Sequence, residues 1–157
     1  MTQHGRQGTV PDEAVTSRDG HKAVRITLPS AMSAVETGRL AMLDYLTPLA
    51  VDEMVINRLE VVLEELVTNV IRHGAVDSLT VEICARPEAI ELAVEDAGPE
   101  FNPLESTTPS RFTTLEEAEV GGLGIPLVRR LSRSVRYERV EDEEPARNRL
   151  TATIARA

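Results

Sequence analysis

Residues 52–74 read DEMVINRLEVVLEELVTNVIRHG, and the architecture follows from this stretch. Val55, Leu59, Val62, Leu63, Leu66, Val67 and Val70 recur at three- and four-residue intervals, so on a helix they form one apolar stripe. Asp52 carries the side chain of an N-cap, and Gly74 suits the stop. Glu65 and Asn69 are four apart, share a face, and fall beside the stripe rather than opposite it.

Toward the N-terminus, Pro48 closes a first helix in which Met32, Val35, Leu40, Leu43 and Leu46 follow Ser30 as N-cap. Before it, residues 23–28 alternate apolar and polar, as a half-buried strand does, and Pro29 ends the run. Residues 1–22 lack apolar periodicity and read as a flexible tail. Toward the C-terminus, residues 79–85 and 89–95 alternate around Arg86-Pro87-Glu88 and predict a strand pair. Residues 97–120 hold Gly98, Pro99, Pro103 and Pro109 and predict a long loop. Gly121 to Gly124 then open a helix whose apolar Ile125, Leu127, Val128 and Leu131 oppose Arg129, Arg130 and Arg133, with Pro126 tolerated in the first turn. Two further strands, 134–140 and 149–155, flank an acidic turn.

Strands that follow one another call for an antiparallel or mixed sheet. The expectation is therefore an α+β two-layer sandwich: a mixed, mostly antiparallel sheet with helices on one face, forming a single domain over residues 23–157.

The 157 residues, 41% hydrophobic and 27% charged, are enough for one aliphatic core, with aromatics at only 3%. A net charge of −9 disfavours a nucleic-acid surface, which needs a basic patch. No apolar stretch approaches the roughly 20 residues that span a bilayer, and the polar start lacks a secretory h-region, so a cytoplasmic protein is expected. Cys84, the only cysteine, excludes an internal disulfide, and with three scattered histidines no zinc cluster is apparent. Lys22 is the only lysine, so neither a Walker-A loop nor a eukaryotic-type kinase strand lysine is present.

Three polar constellations sit at element ends. Glu65 and Asn69 offer a carboxylate and an amide that could accept a proton and ligate Mg²⁺, although a solvated helix flank has the same look. Asp96-Ala97-Gly98 follows a strand and offers an acceptor beside backbone that a flat ring can approach; as a turn it is commonplace. Gly121-Gly122-Leu123-Gly124 opens a helix, where free amides and the dipole favour an anion, and a glycine run there is also a common helix start.

In this order the motifs ELVTNVIRHG (65–74), DAGP (96–99), FTT (112–114) and GGLGIPLV (121–128) resemble the Bergerat-fold, or GHKL, ATPases. Within that group the chain is most similar to the small anti-sigma factor serine/threonine kinases, over about residues 23–156. The resemblance implies a histidine-kinase-like ATPase fold with ATP and Mg²⁺ as ligands. It implies Asn69 holding Mg²⁺, Asp96 binding the adenine amino group beside Gly98, Gly122, Leu123 and Gly124 at the phosphates, and Glu65 as general base. Thr151 or Thr153 on the last strand would add an adenine-side hydroxyl. Arg72 and His73 either reach phosphate or complement the helix C-terminus.

The implied activity is transfer of the γ-phosphate to Ser or Thr of a STAS-type anti-sigma factor antagonist, by a protein that also sequesters a sigma factor or comparable regulator. Phosphoryl transfer needs positioning and charge stabilisation, and helix amides with Mg²⁺ supply both without lysine. Glu116, Glu117 and Glu119 place like charge before the phosphate loop, with no arginine nearer than Arg111. The alternative is a nucleotide-dependent partner-binding module without kinase activity. A histidine-kinase fragment would need an upstream helical hairpin, for which about 22 residues do not suffice. A homodimer is a further implication of the resemblance, and the first helix is the candidate surface for it.

Overall fold

The computed structural model describes residues 13–17, 19–105 and 124–156. Its sheet comprises β1 (Glu13–Thr16), β2 (Lys22–Pro29), β3 (Ser78–Ala85), β4 (Ala89–Asp96), β5 (Ser134–Val140) and β6 (Arg147–Ala155) in the order β1-β2-β3-β4-β6-β5. All five pairings are antiparallel, so among the described residues the sheet has no parallel pair. Helices α1 (Ser33–Leu46), α2 (Glu53–His73) and α3 (Gly124–Leu131) accompany it, with a short 3-10 turn at Thr47–Leu49. This is the expected α+β sandwich.

The long helix behaves as its spacing predicts. The Asp52 side chain accepts from the Met54 amide at 2.8 Å, and the seven residues of the stripe are the seven that α2 buries. They meet Ile26 and Leu28 of β2, Val81 and Ile83 of β3, Leu92 and Val94 of β4, and Ala152 and Ile154 of β6 in one core. Each such side chain, fully buried, contributes roughly 1.5–3 kcal/mol.

Three expectations need correction. The N-terminal tail ends earlier, because Glu13–Thr16 pairs with β2 from Glu13↔Arg25 to Thr16↔Lys22. Four residues without an apolar face leave no periodicity to read, and backbone pairing alone makes them a strand. Ser30 does not cap α1: its amide donates to the Asp77 carbonyl at 2.9 Å, and the N-cap is Met32, without a side-chain bond. The face of α1 that packs inward is Ala34, Gly38, Ala41, Met42 and Leu46, whereas Met32 and Leu40 are exposed. Small residues bury α1 closely against β2 and α2, and a search for large apolar residues passes over them.

The sheet face turned away from the helices is polar. Arg25 bonds Glu95 at 2.8 Å and Glu82 at 3.3 Å, and Arg149 bonds the same two carboxylates at 2.6 and 3.2 Å. Arg147 approaches Glu95 at 3.7 Å. Arginine stems and carboxylates thus cover four strands, and among the described residues no second helical layer lies on this face.

Candidate functional site

Strand β4 runs its apolar alternation, Ile90, Leu92 and Val94, to Asp96, which stands on the helix-facing side of the sheet at its last residue. There the C-terminal half of α2 crosses above it. Leu66, Asn69, Val70 and His73 from α2 form one wall of a cleft of about 300 Å³, and Val94, Asp96, Asn148 and Leu150 form its floor. Pro99, Glu100, Phe101 and Pro103 make the opposite wall, and Tyr137 of β5 closes one side. The Phe101 and His73 rings meet with centroids 5.9 Å apart, tilted by 37°.

Asp96 is 9% exposed, and its Oδ1 accepts from the Gly98 amide at 2.9 Å and from Asn148 Nδ2 at 3.1 Å. No arginine, lysine or histidine among the described residues forms a salt bridge with it. Both bonds fall on one oxygen, which leaves Oδ2 as an acceptor at the base of an apolar cleft. Leu66, Val70, Val94 and Leu150 around a lone acceptor suit a flat heterocycle that brings an N–H donor.

Gly98 completes this corner. A Cβ on it would stand 2.7 Å from the Gly74 carbonyl oxygen and 2.8 Å from Asp96 Oδ1, so the chain itself demands glycine here. Gly74 ends α2 with right-handed backbone (φ −77°), and the left-handed residue is Ala75, at φ 46°.

Asn69 lies one turn before His73 and faces the cleft; among the described residues its amide has no side-chain hydrogen bond. Glu65 lies one further turn back, half-buried, where α2 meets the start of α3. Its Oε2 is 2.8 Å from where a Cβ on Gly124 would be, so the carboxylate rests against the first residue of that helix. Burial, reinforced by the like charge of Glu64, pushes the Glu65 carboxyl above the usual range, with Arg72 opposing.

No cluster of three or more His, Cys, Asp or Glu among the described residues forms a metal cage. One amide oxygen, with a carboxylate a turn away, fits a hard cation that keeps waters and arrives with phosphate oxygens.

Of the residues expected from the sequence, Asn69 and Asp96 share the cleft and Gly98 supports it, whereas Glu65 and Gly124 meet each other at the α2–α3 contact, outside the residues that line the cleft. Gly122 and Leu123 lie outside the described residues. Thr151 requires correction. It pairs with Ala93, while Leu150 pairs with Val94, and Val94 and Leu150 are the residues that line the cleft. Alternation therefore puts Thr151 and Thr153 on the opposite sheet face.

The polar residue that does stand beside Asp96 is Asn148, its direct partner in the β4–β6 ladder. Tyr137 and Arg139 reach it from β5, at 2.6 and 3.1 Å. Sequence reasoning missed all three, although the alternation Leu150, Ala152, Ile154, carried back two residues, arrives at Asn148.

Residues 28–154 match the sequence model of the family described as histidine kinase-like ATPase domain. No curated protein sequence matches the chain. Among solved structures, the fold is similar to a chain of the SiaB–SiaC complex from Pseudomonas aeruginosa, with TM-score 0.61 and 17% identity, covering 83% of this chain and 88% of that one. A second similar structure is the histidine kinase AdeS of Acinetobacter baumannii, with TM-score 0.45 and 19% identity over 84% of this chain and 67% of that one. At these identities the likeness is one of fold.

Proposed function

The chain belongs to the histidine kinase-like ATPase family, and from that premise we propose that it binds ATP with Mg²⁺ in the α2–β4 cleft and phosphorylates Ser or Thr of a partner protein. The observation that carries this reading is Asp96: a buried carboxylate without a cationic partner among the described residues, its second oxygen left without a hydrogen bond among them at the floor of an apolar cleft. The adenine amino group is the donor that this oxygen would take. Leu66, Val70, Val94 and Leu150 enclose the ring and exclude water.

Asn69 would hold Mg²⁺ through its amide oxygen. Bound there, the ion supplies neutralisation of phosphate charge. Gly124 at the start of α3, with Gly122 and Leu123 just before it in the sequence, would offer backbone amides to the phosphates. Glu65 takes the hydroxyl proton as the partner's oxygen forms its bond to the γ-phosphorus and the bridging P–O bond to ADP breaks. A carboxyl raised toward neutrality is suited to that role.

The partner in this proposal is a STAS-type anti-sigma factor antagonist, and the chain acts in the cytoplasm as an anti-sigma factor that also holds a sigma factor or comparable regulator. The likeness in fold to a chain crystallised in a two-protein complex supports a partner-binding role. No helix among the described residues is long and apolar enough to cross a membrane. Direct nucleic-acid contact is not part of the proposal; a homodimer is.

A second reading, a nucleotide-dependent grip without phosphotransfer, is favoured by one observation: the Glu65 carboxylate rests against Gly124 rather than in the cleft. Calorimetry of Mg²⁺-dependent ATP binding, followed by mass spectrometry of co-expressed partners after incubation with ATP, tests both. Binding with phosphoserine or phosphothreonine on a partner supports the kinase; binding with nucleotide-sensitive association and no phosphorylation selects the grip; absence of binding by folded protein removes both.

A further inference from the structure

Asn148 is the most heavily engaged side chain of the cleft. Its Oδ1 accepts from Tyr137 Oη at 2.6 Å, Arg139 Nη1 at 3.1 Å and the Phe101 amide at 3.1 Å. Its Nδ2 donates to Asp96 Oδ1 at 3.1 Å and to the Pro99 carbonyl at 2.8 Å. The amide can point only one way. Reversed, its NH₂ would face the guanidinium and the Phe101 amide, both donors, and its oxygen would face a carboxylate and a carbonyl, both acceptors.

With both Nδ2 hydrogens used and Oδ1 shared by three donors, Asn148 has nothing left to give a ligand. It lines the floor of the cleft yet must act through its partners. One partner is Asp96, whose Oδ1 it occupies together with the Gly98 amide, so that Oδ2 is the oxygen turned to the ligand. The others are in residues 98–101. Asn148 ties Pro99 and Phe101 to β6, and Arg139 adds a bond from Nη1 to the Gly98 carbonyl at 2.9 Å. One amide thereby joins the carboxylate, the wall bearing Phe101 and the edge strand β5.

We propose that Asn148 is the positioning residue of this site, aiming Asp96 and pinning the 98–101 wall so that the cleft selects a purine bearing an exocyclic amino group. The inference rests on the reading of the cleft as the ATP site.

The test compares ATP with inosine triphosphate, in which a carbonyl replaces that amino group, by calorimetry with Mg²⁺ on the full chain. The wild type should prefer ATP by about tenfold or more, which corresponds to about 1.4 kcal/mol. Asn148→Asp keeps size and acceptor but sets oxygen against Asp96 and Pro99; Asn148→Ser, the substitute should the first not fold, is too short to reach them. Either folded variant should lose most of the preference through weaker ATP binding, with inosine triphosphate affinity changed by about threefold at most. A folded variant that keeps the preference, or that loses both nucleotides equally as a purely structural residue would, overturns the proposal while the ATP reading stands. A wild type that binds neither nucleotide removes the ATP reading itself, and this inference with it.

Discussion

Asp96→Asn removes the charge and leaves the shape. The Gly98 amide and Asn148 Nδ2 both donate to Oδ1, so the new amide settles with its oxygen there and its NH₂ where Oδ2 had been. The corner keeps its hydrogen bonds, now to a neutral acceptor; their weakening is opposed by relief of a buried, incompletely paired charge, so Tm should stay within about 2–4 °C of the wild type's. The ligand meets a donor instead of an acceptor. Loss of a hydrogen bond to a charged group costs about 1.5–3 kcal/mol, and leaving two donors face to face adds about 1–3 kcal/mol. Together these predict a Kd for ATP at least about 100-fold higher than the wild type's. Calorimetry with Mg²⁺-ATP, beside thermal melts of both proteins, reads the two effects separately. A folded Asp96→Asn protein that binds ATP within about threefold of the wild type would refute the assignment of this carboxylate to the ligand.

Thr151→Val should leave ATP affinity within about twofold, because Thr151 pairs with Ala93 on the face away from the cleft; calorimetry showing a large loss would mean that the register places it wrongly. Glu95→Gln, on that same face, withdraws the charge that meets Arg25 and Arg149 and should cost about 2 kcal/mol in denaturant titration with ATP affinity retained. The raised Glu65 carboxyl must be ionised to act as base, so phosphotransfer should fall as pH drops through a point above the ordinary glutamate value of about 4.3, and a pH–rate profile whose acid limb lies lower contradicts the role. For stability the sign is opposite: a carboxyl raised by folding contributes fully below its unfolded pKa and loses that contribution as pH rises through the folded one, so Glu65→Gln should become relatively more stable toward neutral pH in melts.

The long helix was legible because one period runs unbroken through it, and its seven predicted core residues are the seven buried ones. Helix α1 was only half legible. Its buried face uses Ala34, Gly38 and Ala41, small residues whose burial does not come from hydrophobic size; at Gly38 the space is taken by the Leu28 and Leu63 side chains. At the site, Asp96 could be found because a charged residue interrupts the apolar phase of β4 at its end. Asn148 interrupts β6 in the same way, but it lies one residue before the readable run that begins at Arg149, and the alternation of Leu150, Ala152 and Ile154 assigns the threonines to the other face. The contact of Phe101 with His73 joins residues 28 positions apart, with strands β3 and β4 between them in the chain, and no local pattern encodes it.

Adjacent positions on β4 carry two buried carboxylates with different fates, and the difference separates structure from function. Glu95, 5% exposed, faces the polar side, where Arg149 and Arg25 bond it at 2.6 and 2.8 Å and Arg147 stands at 3.7 Å. Shared with Glu82 and Glu143, these arginines balance its charge within the chain, so it has no surplus affinity to offer a ligand. Asp96, 9% exposed, faces the helices and, among the described residues, meets only uncharged donors, both on one oxygen. A buried carboxylate costs free energy unless it is paired, and the pairing at Asp96 is incomplete. Arg139, the cation that bonds into this cluster among the described residues, is spent on the Asn148 amide oxygen and the Gly98 carbonyl, holding the frame. A fold that neutralises one carboxylate with three arginines and leaves its neighbour to two amide donors keeps the second available for a donor from outside, and that is the physical basis for placing the ligand at the α2 face of the sheet.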